Sequence, residues 1–192
     1  MTVFDLRQAV GLCWLAFVVV WLLASGRTKR TVERAGNQFG YRAMWIVAFG
    51  LMFVSRPGRT DLGVITRAIL QANDLIVSIG LVVTIAGLAL AVWARAALGG
   101  NWSGTVQFKE DHTLVERGPY AVVRHPIYTA ILLMFLGTAI ANGTLGALVA
   151  VPLAVVSFIV KARQEEELLQ RHFPDAYAAY RTRTRMIVPL VF

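Results

Sequence analysis

The 192-residue chain is 57% hydrophobic and only 16% charged, with a mean hydropathy of +0.60, far from the composition of an average soluble domain. A net charge of +8 would suit a nucleic-acid partner, but the basic residues stand in short clusters between apolar runs. That is the pattern of a multi-pass membrane protein, with no nucleic acid among its partners. A single cysteine, Cys13, excludes an intrachain disulfide framework and a metal–thiolate set, and is read as a packing residue.

The first apolar run, Ala9 to Ala24, lies between Arg7 and Arg27. Ala24-Ser25-Gly26 offers the small residues of a signal-peptide cleavage site. Asp5 before the run and five basic residues in 26–42 argue instead for a retained helix. The second run, Ala43 to Ser55, is short for a span of about 20 residues, and is predicted to extend back through Phe39 and Tyr41 while Arg42 snorkels to the headgroups. Leu75 to Ala94 is a full-length span. The region Ile127 to Val160 carries no charged side chain and exceeds one crossing, and Asn142-Gly143-Thr144 near its middle is a turn signal. This predicts two helices in a tight hairpin. The fold class is therefore an all-α integral membrane protein with five transmembrane helices in one domain, 1–192, in which 1–74 hold spans without a motif and 75–192 form the functional core.

The segments 26–42, 95–126 and 161–192 together hold fifteen Lys and Arg, against four (Arg7, Arg56, Arg59 and Arg67) in the remaining segments. With five spans, this asymmetry places the N-terminus outside and the C-terminus in the cytoplasm.

The hairpin returns two polar segments to one membrane face, LGGNWSGTVQFKEDHTLVERGPYAVVRHPIY before it and KARQEEELLQRHFPDAYAAYRTRTRMIVP after it. Pro126 suits a first helical turn, and His125 before it is pushed into an extended conformation at the helix mouth. The free N–H groups and positive dipole end of that helix favour an anion, and Arg124 adds a fixed charge with planar donors. Glu165 and Glu166 supply negative charge at the same depth. One anion-accepting half and one cation-accepting half near the headgroups would take a zwitterionic ligand. Phe173, Tyr177 and Tyr180 share a helical face and are read as an interfacial aromatic belt. His172 is expected to face solvent. Thr113-Leu114-Val115-Glu116 matches a capping box, but Gly118-Pro119 follows at once and the match is discounted. The three histidines have no metal-ligand spacing, and no dinucleotide fingerprint follows a strand.

The run LVERGPYAVVRHPIY, the apolar hairpin, and then EEELLQRHFPDAYAAY resemble the isoprenylcysteine carboxyl methyltransferase family, itself related to the membrane phospholipid methyltransferases. The ordered pattern G-P-Y, R-H-P-x-Y, E-E-x-x-L-x-x-x-F and Y-x-x-Y covers about Leu98 to Pro189. The resemblance implies a helical-membrane enzyme using S-adenosylmethionine, with 75–192 as the methyltransferase core and the cofactor site formed by the cytoplasmic loop and C-terminal tail. Matched residue by residue, it implies cofactor contacts from Gln107, His112, Thr113, Leu114, Val115, Tyr120, His125, Pro126, Ile127, Tyr128 and Glu165, with Arg124, His125 and Glu165 as the catalytic group. The family's substrate-contacting arginine falls on Lys161, and Arg163 stands near as a replacement. Ala130 replaces a usual glycine and is expected to narrow a helix contact; Pro174 replaces another.

Methyl transfer to a carboxylate needs no general base, because a carboxyl group with a reference pKa of about 4 is already ionised at neutral pH. An amine acceptor would first have to lose a proton. A carboxylate or other anionic acceptor is therefore favoured over phosphatidylethanolamine, and the resemblance implies a prenylcysteine-like carboxylate on a lipid-like substrate, with membrane lipids as the surrounding partners. Two rivals are an NADPH-dependent membrane reductase and a non-enzymatic protein on the same scaffold. Such reductases carry N-Y-x-G-E where this chain has Ile127-Tyr128-Thr129-Ala130-Ile131.

Overall fold

The computed structural model describes residues 2–25, 31–34, 38–57, 62–99, 107–109 and 114–188, of which 25, 31–34 and 107–109 are described in backbone only. Six helices follow in chain order: α1 Val3–Ser25, α2 Phe39–Val54, α3 Asp74–Leu98, α4 Pro126–Asn142, α5 Leu145–His172 and α6 Pro174–Arg183. A short antiparallel ribbon joins β1, Thr31–Arg34, to β2, Gln107–Lys109. Among the described residues it is the one addition to the expected all-α architecture. α1, α3 and α5 are long and apolar enough to cross a membrane, while α2 and α4 are shorter apolar helices.

Each apolar run matures into a helix near its predicted limits. α2 does begin at Phe39, ahead of its apolar run. The hairpin turns at the predicted site: α4 ends at Asn142, Gly143 adopts φ +68° as its C-cap, and Thr144 precedes α5. A left-handed residue there is a glycine position, and Gly143 also lies too close to Leu70 O (2.7 Å from an added Cβ) to carry a side chain. Its carbonyl accepts from Ile69 N and Leu70 N, which pins the chain before α3 against the turn. α5 continues well past the apolar run, because Ala, Arg, Gln, Glu and Leu of residues 162–170 are strong helix formers.

Side-chain anchors show that the five apolar helices alternate in direction. Near the start of α1, Arg7 Nε donates to Ala141 O at the end of α4 (2.9 Å), placing a cation on that helix's negative dipole end. At the far end of α1, Ala24 O accepts from Arg95 Nη2 at the end of α3 (2.6 Å). Thr144 Oγ1 donates to Ser55 Oγ beyond α2 (3.2 Å). The interior between the helices is aromatic. Trp14 packs edge-on against Phe17, Phe49, Phe53 and Phe135, and its indole N–H donates to Thr138 Oγ1 (2.9 Å).

α3 and α4 cross with their backbones nearly touching. A Cβ on Gly137 would lie 2.4 Å from Gly80 O, and one on Gly87 would lie 2.7 Å from Ala130 O. Lipid tails are as apolar as leucine, so helix association here depends on such close packing of small residues. Ala130 stands at that crossing, as its position in the motif implied. Gly137→Ala should therefore destabilise the protein by about 1–3 kcal/mol through overpacking, read from thermal unfolding in detergent. Gly50→Ala, with nothing within 4 Å, is the control. It should be neutral or stabilising by at most about 1 kcal/mol.

Candidate functional site

The site forms where α4 begins and α5 continues beyond its apolar portion. His125 precedes Pro126 as the N-cap of α4 with φ −124° and ψ 59°; the backbone is non-helical, as a following proline favours, but it stops short of the extended conformation expected. Its carbonyl already accepts from Tyr128 N and Thr129 N. Along α5, Lys161 and Glu165 are four residues apart and so share a face, with Glu166 one step round.

These elements bring together most of the residues that the sequence singled out. Tyr128 Oη donates to Glu165 Oε1 (2.6 Å). The His125 and Tyr128 rings lie parallel, 2° apart in plane with centroids at 5.2 Å, and Tyr128 stacks in turn on Phe158 (4.7 Å). Lys161 is buried with its Nζ 5.0 Å above the Tyr128 ring and 5.9 Å from that of Tyr41. Tyr120 is buried in a 3-10 turn at Gly118–Ala121. Ile127 packs into the helical core, and Leu114 and Val115 are half-buried, with Val115 against that core. Gln107 lies in β2, which packs beside α5. His112 and Thr113 lie outside the described residues.

One expectation needs correction, and one gains its partners. Arg124 stands at the helix mouth with its planar donors engaged: its Nε donates to Glu166 Oε1 (2.7 Å) and its Nη1 to Thr184 O (2.6 Å). Buried charges require partners, and Glu166 is the anion within reach. The correction concerns the expected aromatic belt, which turns inward. Tyr177 and Tyr180 are buried, and Tyr180 Oη donates to Tyr120 O (2.7 Å), because α6 folds back over the 3-10 turn. His172 is exposed, as expected. Arg163 is exposed on α5 while Lys161 is buried, so the two do not share a location.

The contribution that sequence reasoning missed is the segment after α6. Residues 184–187 run parallel to 122–125, with a bridge between Val123 and Arg185. Arg124 N donates to Arg185 O (2.8 Å), His125 N to Met186 O (3.0 Å), and Thr129 Oγ1 to Ile187 O (2.5 Å). This strap holds the helix mouth by its backbone. The pairing is long-range and backbone-mediated, so side-chain identity carries little signal of it.

Glu166, with 8% of its side chain exposed, is enclosed by Arg124 and His125; Glu165 keeps 23% exposed. Glu165 is thus the carboxylate that an incoming cation reaches. The arrangement can hold a zwitterion between the Glu165 carboxylate and the Arg124–His125 edge.

The sequence model of the family described as phospholipid methyltransferase matches residues 75–176, more than half of the chain and the whole of this site up to α6. The chain belongs to the phospholipid methyltransferase family. It is 33% identical over 101 residues to the protein-S-isoprenylcysteine O-methyltransferase of Schizosaccharomyces pombe, a match covering 51% of this chain and 43% of that protein. It is 31% identical over 96 residues to the cobalt-zinc-cadmium resistance protein CzcN of Cupriavidus metallidurans, covering 49% and 44%. Among solved structures, a eukaryotic intramembrane Ras methyltransferase, an isoprenylcysteine carboxyl methyltransferase, superposes with a TM-score of 0.56 at 25% identity over 79% of this chain and 52% of its own. These matches bear out the motif-based resemblance to the isoprenylcysteine branch. The chain spans less than half the length of the two curated relatives.

Tyr180→Phe leaves the buried Tyr120 carbonyl without its donor and should cost about 1–3 kcal/mol. The check is thermal unfolding together with hydrogen exchange at residues 118–125, where the loss of protection should be concentrated.

Proposed function

We propose that this protein is an S-adenosylmethionine-dependent membrane methyltransferase acting on a lipid-like amphiphile, most favourably the carboxylate of a prenylcysteine-like compound. The observation that carries the reading is the convergence of Arg124-His125-Pro126 with Glu165 at the base of the α4–α5 hairpin, inside the region matched by the family. The residues present fit the cofactor's charges: the more exposed Glu165 carboxylate suits its amine, and the edge formed by Arg124, His125 and the start of α4 suits its carboxylate. When bound, that cofactor supplies an electrophilic methyl group on a sulfonium.

The chain's own residues would act by holding and excluding. The resemblance would assign cofactor contacts to Gln107, His112, Thr113, Leu114 and Val115, and Tyr120, His125, Pro126, Ile127, Tyr128 and Glu165 would line the site from the helix side. With an acceptor that is already ionised, alignment is the main requirement and is worth as much as about 7–11 kcal/mol. Water exclusion supports it, since both reacting charges are then less screened. Lys161 is the acceptor-side cation. It is buried between Tyr41 of α2 and Tyr128 of α4, one turn before Glu165. Arg163 faces away on the exposed side of α5 and makes the weaker candidate.

We read the five apolar helices as five spans, with the N-terminus outside and the C-terminus and site in the cytoplasm. The charge asymmetry supports this together with the helix directions. Arg7 and Arg67 stand at the turn end of the bundle, where they contact Ala141 and Leu145, and Arg124 and Lys161 stand at the other. In a Cys13→Ala background, Arg67→Cys should react with an impermeant thiol reagent on intact cells and Arg181→Cys only after permeabilisation. The opposite pattern refutes the orientation.

Glu165→Gln should weaken S-adenosylmethionine binding, measured by calorimetry, by about 1.5–3 kcal/mol through loss of a charge-assisted contact. Binding equal to the parent removes this site assignment, and preferential binding of NADPH points to the reductase rival. Lys161→Ala should raise KM for the acceptor with cofactor affinity little changed. A methyl-transfer assay over farnesylcysteine analogues, fatty acids and phosphatidylethanolamine tests the acceptor class. Transfer to the ethanolamine lipid alone overturns the carboxylate preference.

A further inference from the structure

The His125 ring presents both of its nitrogens to carboxylates. Nδ1 lies 3.5 Å from Glu165 Oε2 and Nε2 lies 3.2 Å from Glu166 Oε1, with only 6% of the His125 side chain exposed. An ionised carboxylate only accepts hydrogen bonds, and a neutral imidazole has one N–H to give. Either neutral tautomer would therefore aim a nitrogen lone pair at a carboxylate oxygen inside a buried site, an arrangement with a large desolvation cost. Protonating a carboxyl group instead does not suit the surroundings. Glu166 Oε1 already accepts from Arg124 Nε at 2.7 Å, and Glu165 Oε1 accepts from Tyr128 Oη at 2.6 Å. Each carboxylate thus has a second donor on it, which is the environment of an anion.

We propose that Glu166 is a positioning residue that holds His125 as a doubly protonated imidazolium, so that the anion-accepting edge of the site carries two fixed cations, Arg124 and His125. Glu166 is suited to this because one of its oxygens meets both cations, 2.7 Å from Arg124 and 3.2 Å from His125, while the strap residue Thr184 takes a further Arg124 donor through its carbonyl. Glu165 on the other ring edge is the more exposed carboxylate and is free to meet an incoming cation without releasing His125 from Glu166. The functional consequence rests on the cofactor reading above; the protonation state of the ring does not.

Among the described residues, the titratable and charged groups facing this ring are few. α5 contributes Glu165, Glu166 and, beside Glu165, Lys161; α4 contributes Tyr128; the 3-10 turn contributes Tyr120; and α6 contributes Tyr177 and Tyr180 around the Glu166–Arg124 pair. Burial alone would lower the His125 pKa, but the hydrogen bonds that the ring gives to Glu165 and Glu166 outweigh it and hold the group above its ordinary value of 6.5. The sign follows from linkage. The positive charge and the stability it confers are complete below pH 6.5, and are lost as pH rises through the raised value.

The test is nuclear magnetic resonance of the full chain in nanodiscs with ring-labelled histidine. The chain has only three histidines, and the His125 signal is assigned by its loss in His125→Gln. At pH 6.5 both His125 ring nitrogens should show imidazolium shifts, with titration centred above that pH. Glu166→Gln should move the midpoint down by about one unit or more, and Glu166→Asp should restore most of the shift, which a merely structural role would not do. A neutral His125 tautomer in the parent at pH 6.5, or an unchanged midpoint in Glu166→Gln, overturns the proposal. Calorimetry with S-adenosylmethionine across the same range should show affinity falling through the His125 midpoint. An absence of binding at every pH would sink the cofactor reading, while the resonance result still decides the state of the ring.

Discussion

Two adjacent glutamates on one turn of α5 have to be balanced where that helix is still packed against its neighbours. Everything at the candidate site is arranged around that demand. A buried carboxylate without a partner is costly by several kcal/mol, and cations reach this pair from the mouth of α4 and from Lys161 one turn earlier on α5. Arg124 and His125 answer Glu166, while Tyr128 and His125 answer Glu165. This pairing fixes the rotation of α5 relative to α4 at their polar ends. It also explains why the helix mouth is held from behind by the backbone of 184–187, since Arg124 would otherwise keep a donor unmatched beside Thr184.

The apolar part of the hairpin is positioned by a different force. Between helices surrounded by lipid-like side chains, burial of hydrophobic surface gives little direction, and close contact decides which faces meet. Gly80, Gly87 and Gly137 let α3 and α4 approach until backbone meets backbone. Arg7 and Arg95 then tie α1 to the two ends of that pair through backbone carbonyls. The outcome is a rigid frame of α1, α3 and α4, with α2 and α5 completing it through Tyr41 and Ser157, whose hydroxyl donates to the Tyr41 carbonyl (2.8 Å). That last contact sets Tyr41 beside Lys161, so packing at the end of α2 shapes the surroundings of the site's buried lysine.

One feature of α5 and one of α6 show how local pattern and tertiary context divide the work. A helical period of 3.6 residues already separates Lys161 and Glu165, on one face, from Arg163 on nearly the opposite one. The structure places them so, with Lys161 buried and Arg163 exposed. The aromatic spacing of Tyr177 and Tyr180 likewise marked a face of α6, but the direction of that face could not be read from it. A belt at a membrane surface and a lid over a 3-10 turn require the same spacing.

The amino-acid sequence by itself determined the apolar helices, the hairpin turn at Gly143 and the non-helical His125 ahead of Pro126, because each depends on forces acting within a few residues: hydrophobic run length, a positive-φ position, and the steric effect of a proline ring. Its ordered motifs also carried the resemblance to the isoprenylcysteine carboxyl methyltransferase family. Only the tertiary structure decided that Arg124 belongs to Glu166, that α6 turns its tyrosines inward, and that residues 184–187 strap the helix mouth. Those arrangements join groups about 40 to 60 residues apart, and which buried charge finds which partner is settled by the geometry of the assembled helices, where the cost of an unpaired group is highest.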